Sequence, residues 1–358
     1  MKPFLCRQLR LRVPLLLLVS TPLAADEITH KVLEGYPDRI QARLEAKTRF
    51  LAASPPATSQ PTFEFVFRQL GRWKQGQTLR VAFRGGDTAL RKDIADATAD
   101  WTSHGNVKLD FGWDTGVGRH REWSPSDADY TADIRVSFDQ EGYWSLVGPD
   151  SIDRSMAKPG EASLNLQGFD SGRPADWRAV ALHEFGHALG FEHEHQHPTQ
   201  GCDSDFRYQD DTGYVPTTDS FGQYIPDSQG RRPGIYTVLG GPPNNWPSAQ
   251  VDHNLRQLNN DSHAFTFGPF DPSSIMKYAF DSWMCQQGTS SLCCSGGENT
   301  VLSPQDMAGI AQAYPTAVAA SGDLSRQHQN VLREAVKVRL HPETKKRIQS
   351  MVDRPPQP

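Results

Sequence analysis

The sequence reads as an α/β (α+β) protein with a mixed, twisted sheet, and three features lead there. Leu79-Arg80-Val81-Ala82-Phe83 alternates like a half-buried strand and stops at Gly85-Gly86. A helical stretch follows, with Leu90, Ile94, Ala97 and Trp101 on one face and Asp87 placed to cap it. Three more short runs alternate after it, at Val107–Phe111, Ile134–Phe138 and Ala162–Leu166. A strand, then a helix, then several strands is the order of a layered α/β arrangement.

The second half is helical at two places. Asp176 stands where a cap belongs for a helix from Trp177 to about Leu189, with Trp177, Ala181, Phe185 and Ala188 as its apolar side. Ser303-Pro304-Gln305-Asp306 starts another, with serine as cap, proline in the first turn and an acid three residues after the cap. Met307, Ile310, Ala311 and Tyr314 form its stripe, and Pro315 ends it. Between them, residues 199–270 are rich in Gly, Pro, Asp and aromatics, and little regular structure is expected there. Residues 316–358 form a polar, charged tail with one amphipathic stretch near 330–340.

The N-terminal part reads as an export segment and a lead-in. Lys2, Arg7, Arg10 and Arg12 precede the apolar run Val13–Val19, and small residues follow at Ala24 and Ala25. That is the pattern of a signal peptide over residues 1–25. The run is shorter than the ~20 residues that span a bilayer, so no stable membrane insertion is expected once it is removed. The expected location is secreted, extracellular or periplasmic. Residues 26–71 are polar and contain the linker-like Ser54–Pro61, which leaves two readings, a propeptide or an N-terminal extension. The main domain is then 72–315.

A formal net charge of -5 argues against nucleic acid as a partner held by general electrostatics. Of the five cysteines, Cys6 falls in the export segment. Cys202, Cys285, Cys293 and Cys294 remain, an even number that suggests two disulfides. A bond between the adjacent Cys293 and Cys294 would be strained, so Cys202 is expected to pair with Cys285, Cys293 or Cys294.

The chemistry lies in His183-Glu184-Phe185-Gly186-His187-Ala188-Leu189-Gly190-Phe191-Glu192-His193, an HExxHxxGxxH pattern. His183 and His187 are four apart, so a helix puts them on one face, where they can share one tetrahedral zinc ion. Gly190 can take a left-handed conformation and turn the chain back, which brings His193 in as a third ligand. Three neutral imidazoles leave the ion its full charge and one open position, where water becomes acidic. Glu184 is placed to act as general base on that zinc-activated water and then to protonate a leaving amine. The reaction class is amide hydrolysis. One Zn²⁺ is the expected cofactor.

The signature resembles that of the metzincin clan of zinc proteases, and within it the astacin family. Gly190-Phe191 and His193-Glu194-His195 are similar to the family's extended signature. Ser274-Ile275-Met276-Lys277-Tyr278 resembles its Met-turn, and Leu302–Asp306 with Ile310 and Tyr314 its last helix. The resemblance covers roughly residues 72–315. It implies a metzincin-like zinc protease domain, with the active-site helix above a loop-rich C-terminal subdomain, acting on a protein or peptide substrate.

By that resemblance Met276 would floor the three imidazoles and Tyr278 would be a further zinc ligand that stabilises the oxyanion. Glu194 would pair with a new N-terminus after processing. The strand at 162–166 would be the sheet edge that receives an extended substrate, with Leu164 and Asn165 as candidates. The chain departs from the family at Lys277, where histidine is usual, and in the long interval from His193 to Met276, whose extra chain is expected on one rim of the cleft. Residues 26–70 hold no aspartate-switch motif. His195 and His197 are expected behind the ligands or on the surface, and the acids at Asp203, Asp205, Asp210 and Asp211 in a solvated loop. A binding module without turnover and a hydrolase of non-protein amides are the alternatives. The sequence leaves the oligomeric state open.

Overall fold

Among the described residues, five strands form the sheet: β1 (Thr78–Phe83), β2 (Lys108–Asp110), β3 (Ile134–Ser137), β4 (Tyr143–Ser145) and β5 (Leu164–Leu166). Their order is β2-β1-β3-β5-β4. β1 runs parallel to β2 and β3, β3 parallel to β5, and β4 antiparallel to β5. Val81 lies opposite Ile134, Val136 opposite Leu164, and Trp144 opposite Asn165. This computed structural model describes residues 35–52, 71–198, 200–256, 268–294, 297–337 and 340–353, all within the unit Lys31–Pro358. The export segment at 1–25 and the linker at 54–61 lie outside the described residues.

The mixed sheet is as the sequence implies, but its edge is not. Residues 164–166 are an interior strand between β3 and β4, so the expectation of a substrate edge at Leu164 and Asn165 is corrected. Leu164 is core, and Asn165 is fully buried. The Asn165 amide donates to Gln140 O (2.9 Å) and Gly142 O (2.6 Å), and its oxygen accepts from Ser137 Oγ (2.8 Å). It ties the β3–β4 connection to β5. The edge is the three-residue β4, too short for periodicity to reveal.

Both faces of the sheet are covered. On one, Val81, Phe83, Val136 and Leu164 join the core of α2 (Thr88–Thr102) and α3 (Trp177–Ala188). Asp87 caps α2 by accepting from Leu90 N at 2.8 Å. On the other, Ala82, Trp144 and Ala162 pack with Tyr36 and Ile40, at the start of α1 (Asp38–Ala52). β3 is buried along its whole length although its sequence alternates, because its polar residues are bonded inside: Arg135 donates to Glu161 O (2.7 Å) and Ser137 Oγ to Asn165 Oδ1 (2.8 Å). The segment before α1 also sits on the sheet edge: Gly35 N–H donates to Tyr143 O (3.1 Å) and Tyr36 OH to Ser145 O (3.0 Å).

The described residues of the stretch read as irregular carry three short α-helices, α4 (Cys202–Asp205), α5 (Ile235–Gly240) and α6 (Ser248–Leu255). They enclose a second core of Phe206, Ile235, Leu239, Trp246, Val251, Leu255, Tyr278 and Phe280. Disulfides Cys202–Cys293 and Cys285–Cys294 close it. Of its acids, Asp210 is exposed as expected, but Asp205 is buried and accepts from Ser291 Oγ at 2.6 Å, and Asp211 pairs with Arg207 and Arg232.

After α7 (Pro304–Ala313), the described residues of the tail form two helices, α8 (Val318–Lys337) and α9 (Pro342–Asp353), which share a small core of Leu332, Ala335, Leu340, Ile348 and Met351. Arg347 joins it to Asp150 (3.5 Å) and Asp153 (3.3 Å). Among the described residues, no helix is long and apolar enough to cross a membrane.

Charge holds α1 in place. Arg43 pairs with Glu161 at 2.7 Å, and Lys47 with Asp150. Burial raises the Glu161 carboxyl, but the Arg43 hydrogen bond, the Lys158 N–H and the charges of Arg43 and Arg39 outweigh it and bring it down to about 2. A depressed carboxylate stabilises above its ordinary value of 4.5 and loses that effect as pH falls towards 2. Protection of the α1 amides against hydrogen exchange should therefore fall between pH 4.5 and 2. Glu161→Gln should show the reduced protection already at pH 7; unchanged protection in that variant would remove Glu161 from the account.

Candidate metal centre

Helix α3 presents its histidines through a tightly held C-terminal end. Its last carbonyls would be unsatisfied without partners. Ala188 O accepts from Trp73 Nε1 (2.8 Å), and Leu189 O from Tyr314 OH (2.7 Å). Gly190 follows at φ +103°, and a Cβ there would lie 2.6 Å from Gly71 O, so the turn admits only glycine. Beyond it the chain reverses, and His193 returns towards His187.

The three imidazoles converge. His187 Nε2 lies 3.2 Å from both His183 Nε2 and His193 Nε2. Each ring is aimed by its other nitrogen: His183 Nδ1 at Ile275 O (2.8 Å), His187 Nδ1 at Phe191 O (2.7 Å) and His193 Nδ1 at Gln196 Oε1 (3.2 Å). Carbonyl and amide oxygens only accept, so each Nδ1 carries the proton and each Nε2 a bare lone pair. The 3.2 Å approaches are thus between acceptors, the donor set that suits a cation. A tetrahedral zinc with Zn–N of about 2.0–2.1 Å separates its ligands by about 3.3–3.4 Å. His183, His187 and His193 fit that ion in donor type and spacing.

The supporting turn lies beneath α3. Met276 is buried, and a Cβ on Gly186 would fall 2.3 Å from its Sδ and 3.0 Å from Trp101. Asp306 fixes the turn: its carboxylate accepts from Ser274 Oγ (2.7 Å), Ile275 N (2.9 Å) and Ser303 N (2.9 Å). The same acid completes the capping box of α7 with Ser303. One carboxylate thus starts a helix and holds, through its N–H, the residue whose carbonyl aims His183.

Tyr278 is buried beside the site, its ring 4.4 Å from that of His193 and 5.6 Å from that of His183. Glu184 is 98 % buried by its 2 % exposure, on the same helix as the two histidines. The phenol of Tyr143 on β4 is raised by burial first, and by the charges of Asp176 and Glu184. Lys277 is turned back, Nζ donating to Tyr278 O at 3.1 Å.

Glu194 takes Asp271 N–H at 2.8 Å. Burial raises its carboxyl to about 7, against that hydrogen bond and together with Asp306 and Asp271. His195 lies behind the ligands, wholly buried, its ring 4.9 Å from that of His193 and 4.7 Å from that of Tyr278. Its Nε2 meets Asn254 O at 2.7 Å, and burial first, then His193, hold the imidazole well below its ordinary value. His197 bonds Gly268 O at 3.0 Å. Gln196 is the residue that the motif does not reveal, because its own partners lie 57 and 60 residues downstream.

No family model matches the chain, and no curated protein matches it. Solved structures do. Two are structures of myroilysin: one 26% identical, TM-score 0.48, over 70% of this chain and 98% of that one, the other 23% identical, TM-score 0.42, over 74% and 93%. A third is high choriolytic enzyme 1, a hatching enzyme zinc-protease from Oryzias latipes (medaka fish), 15% identical, TM-score 0.39, over 72% and 96%.

The packing of Gly186 yields a test in which two magnitudes compete. Alanine at a helix interior gains about 1 kcal/mol over glycine. Overpacking against Met276 and Trp101 costs about 1–3 kcal/mol. Gly186→Ala should therefore be less stable, by about 1 kcal/mol, in urea unfolding of the metal-loaded protein. A gain in stability would mean that Met276 moves aside freely.

Proposed function

We propose that the protein is an exported zinc-dependent endopeptidase, with His183, His187 and His193 holding the ion. The observation that carries this is the convergence of three Nε2 atoms, each ring held from behind through Nδ1, with Glu184 on the same helix as His183 and His187. Zinc held there supplies a Lewis acid and an acidified water.

The chain's own residues do the rest. Glu184 accepts a proton at its carboxylate and passes it to the nitrogen of the leaving amine. Its burial keeps bulk water from competing for that proton. Tyr278, packed on His183 and His193, serves as an additional ligand and as donor to the oxyanion. Met276, packed against Gly186 of α3, serves as the floor of the site in this reading. An extended peptide adds along β4, the antiparallel edge, through main-chain hydrogen bonds.

Gly35 and Tyr36 already hold two β4 carbonyls, Tyr143 O and Ser145 O. This supports reading residues 26–71 as a propeptide that competes with substrate for the edge until it is removed. Export rests on the signal pattern at 1–25, and two disulfides fit an oxidising compartment.

The test is hydrolysis of an unstructured protein such as casein, with zinc content measured in parallel. Glu184→Gln should keep about one zinc per chain and lose about 10²–10⁴-fold in rate. Chelation should abolish hydrolysis, and added zinc should restore it. A wild-type chain that holds zinc, has lost residues 26–71 and still leaves casein uncut would refute the endopeptidase reading.

A further inference from the structure

The side chain that aims the third ligand belongs to a network anchored in the long insertion. Gln196 Oε1 faces His193 Nδ1 at 3.2 Å, while Gln196 Nε2 donates to His253 O (2.7 Å) and Arg256 O (3.0 Å). His253 and Arg256 stand at the C-terminal end of α6, where helix carbonyls lack partners of their own. Those two carbonyls can only accept, so the amide nitrogen must face them, and the amide oxygen is left for His193. Gln196 is 3 % exposed, so water does not offer an easy substitute.

The neighbouring residue repeats the connection. His195 Nε2 meets Asn254 O at 2.7 Å, and its ring packs on those of His193 and Tyr278. Carbonyls of three residues at one helix end thus receive Gln196 and His195. The other two ligands differ: His183 and His187 are aimed by backbone carbonyls close to α3 or beneath it. The Nδ1 of His193 instead faces a side chain, and that side chain is bonded to the end of α6.

We infer that Gln196 is a positioning residue for zinc binding, and that α6 of the insertion is a structural part of the metal centre rather than an ornament of the cleft rim. Gln196 fixes the His193 tautomer, with the proton on Nδ1 and the lone pair on Nε2, and α6 fixes Gln196. The inference rests on the proposed zinc site but not on any turnover.

Two measurements on the full chain test it. In the zinc-loaded protein, nitrogen-15 NMR of the histidine rings should find His193 protonated at Nδ1; a proton on Nε2 would overturn the assignment without any variant. Zinc affinity is then read by competition with a chromophoric chelator. Gln196→Met keeps the shape and loses both functions, so affinity should fall about 10–100-fold. Gln196→Glu keeps an acceptor for His193 but turns its other oxygen on the two carbonyls. Its zinc-free form should melt lower than wild type, while zinc affinity stays well above that of Gln196→Met. If both variants lower the melting temperature and neither changes zinc affinity, Gln196 is only a packing residue. Zinc bound with the expected affinities but no cleavage of casein would sink the protease reading and leave this one standing.

Discussion

Three imidazoles with bare nitrogens pointing at one another repel unless a cation sits among them, and much of the structure serves to hold them so. The holding is done from behind, through Nδ1. Ile275 O, Phe191 O and Gln196 Oε1 each remove one tautomer and one ring orientation. Those three acceptors come from three different places: the turn beneath α3, the reversal after Gly190, and the segment leading into the insertion. Each place must be fixed to well under an ångström for the nitrogens to share one ion.

The fixing is done with few residues used more than once. Asp306 caps α7 and grips Ser274 and Ile275, so the last helix of the main domain and the turn beneath the metal move as one piece. Tyr314, at the end of the same helix, reaches Leu189 O at the end of α3. Trp73 holds the preceding carbonyl, and Trp101 Nε1 holds Leu182 O at 2.8 Å. Polar atoms of large aromatic side chains thus satisfy the carbonyls of the metal-bearing helix in a dry core. There an unmade hydrogen bond would cost about 1–3 kcal/mol.

Local chemistry was legible in the sequence wherever a short window carried it. The metal-bearing helix, the break at Gly190, the capping box at Ser303 and Asp306, and the strands near 78–83 and 134–138 each announce themselves within a dozen residues. The sheet edge did not, because β4 spans three residues and shows no period. Its neighbour at 164–166 was the visible strand and took the role in its place. The cover on the second sheet face was also hidden. Alternation along β3 predicts one wet face, but that side of the sheet is dried by a cluster assembled from Tyr36, Ile40, Trp123, Trp144 and Met156, which lie far apart in sequence. The helices of the 199–270 stretch, four to eight residues long, give too few turns for a stripe.

The insertion shows why such a site cannot be read from its motif alone. Its core of aromatics is closed by two disulfides and shares Tyr278 with the metal centre, so its packing bears directly on a residue beside the ligands. The Cys202–Cys293 bond joins the chain shortly after His193 to the chain beyond Tyr278, a separation of 91 residues. Loop closure over that length is entropically unfavourable, and a covalent link removes much of the penalty from folding. A long insertion between the third histidine and the turn beneath the metal would otherwise leave those two elements weakly coupled. In this chain the inserted residues are themselves the coupling: α6 reaches back to Gln196 and His195, and the disulfides close the core on which α6 rests.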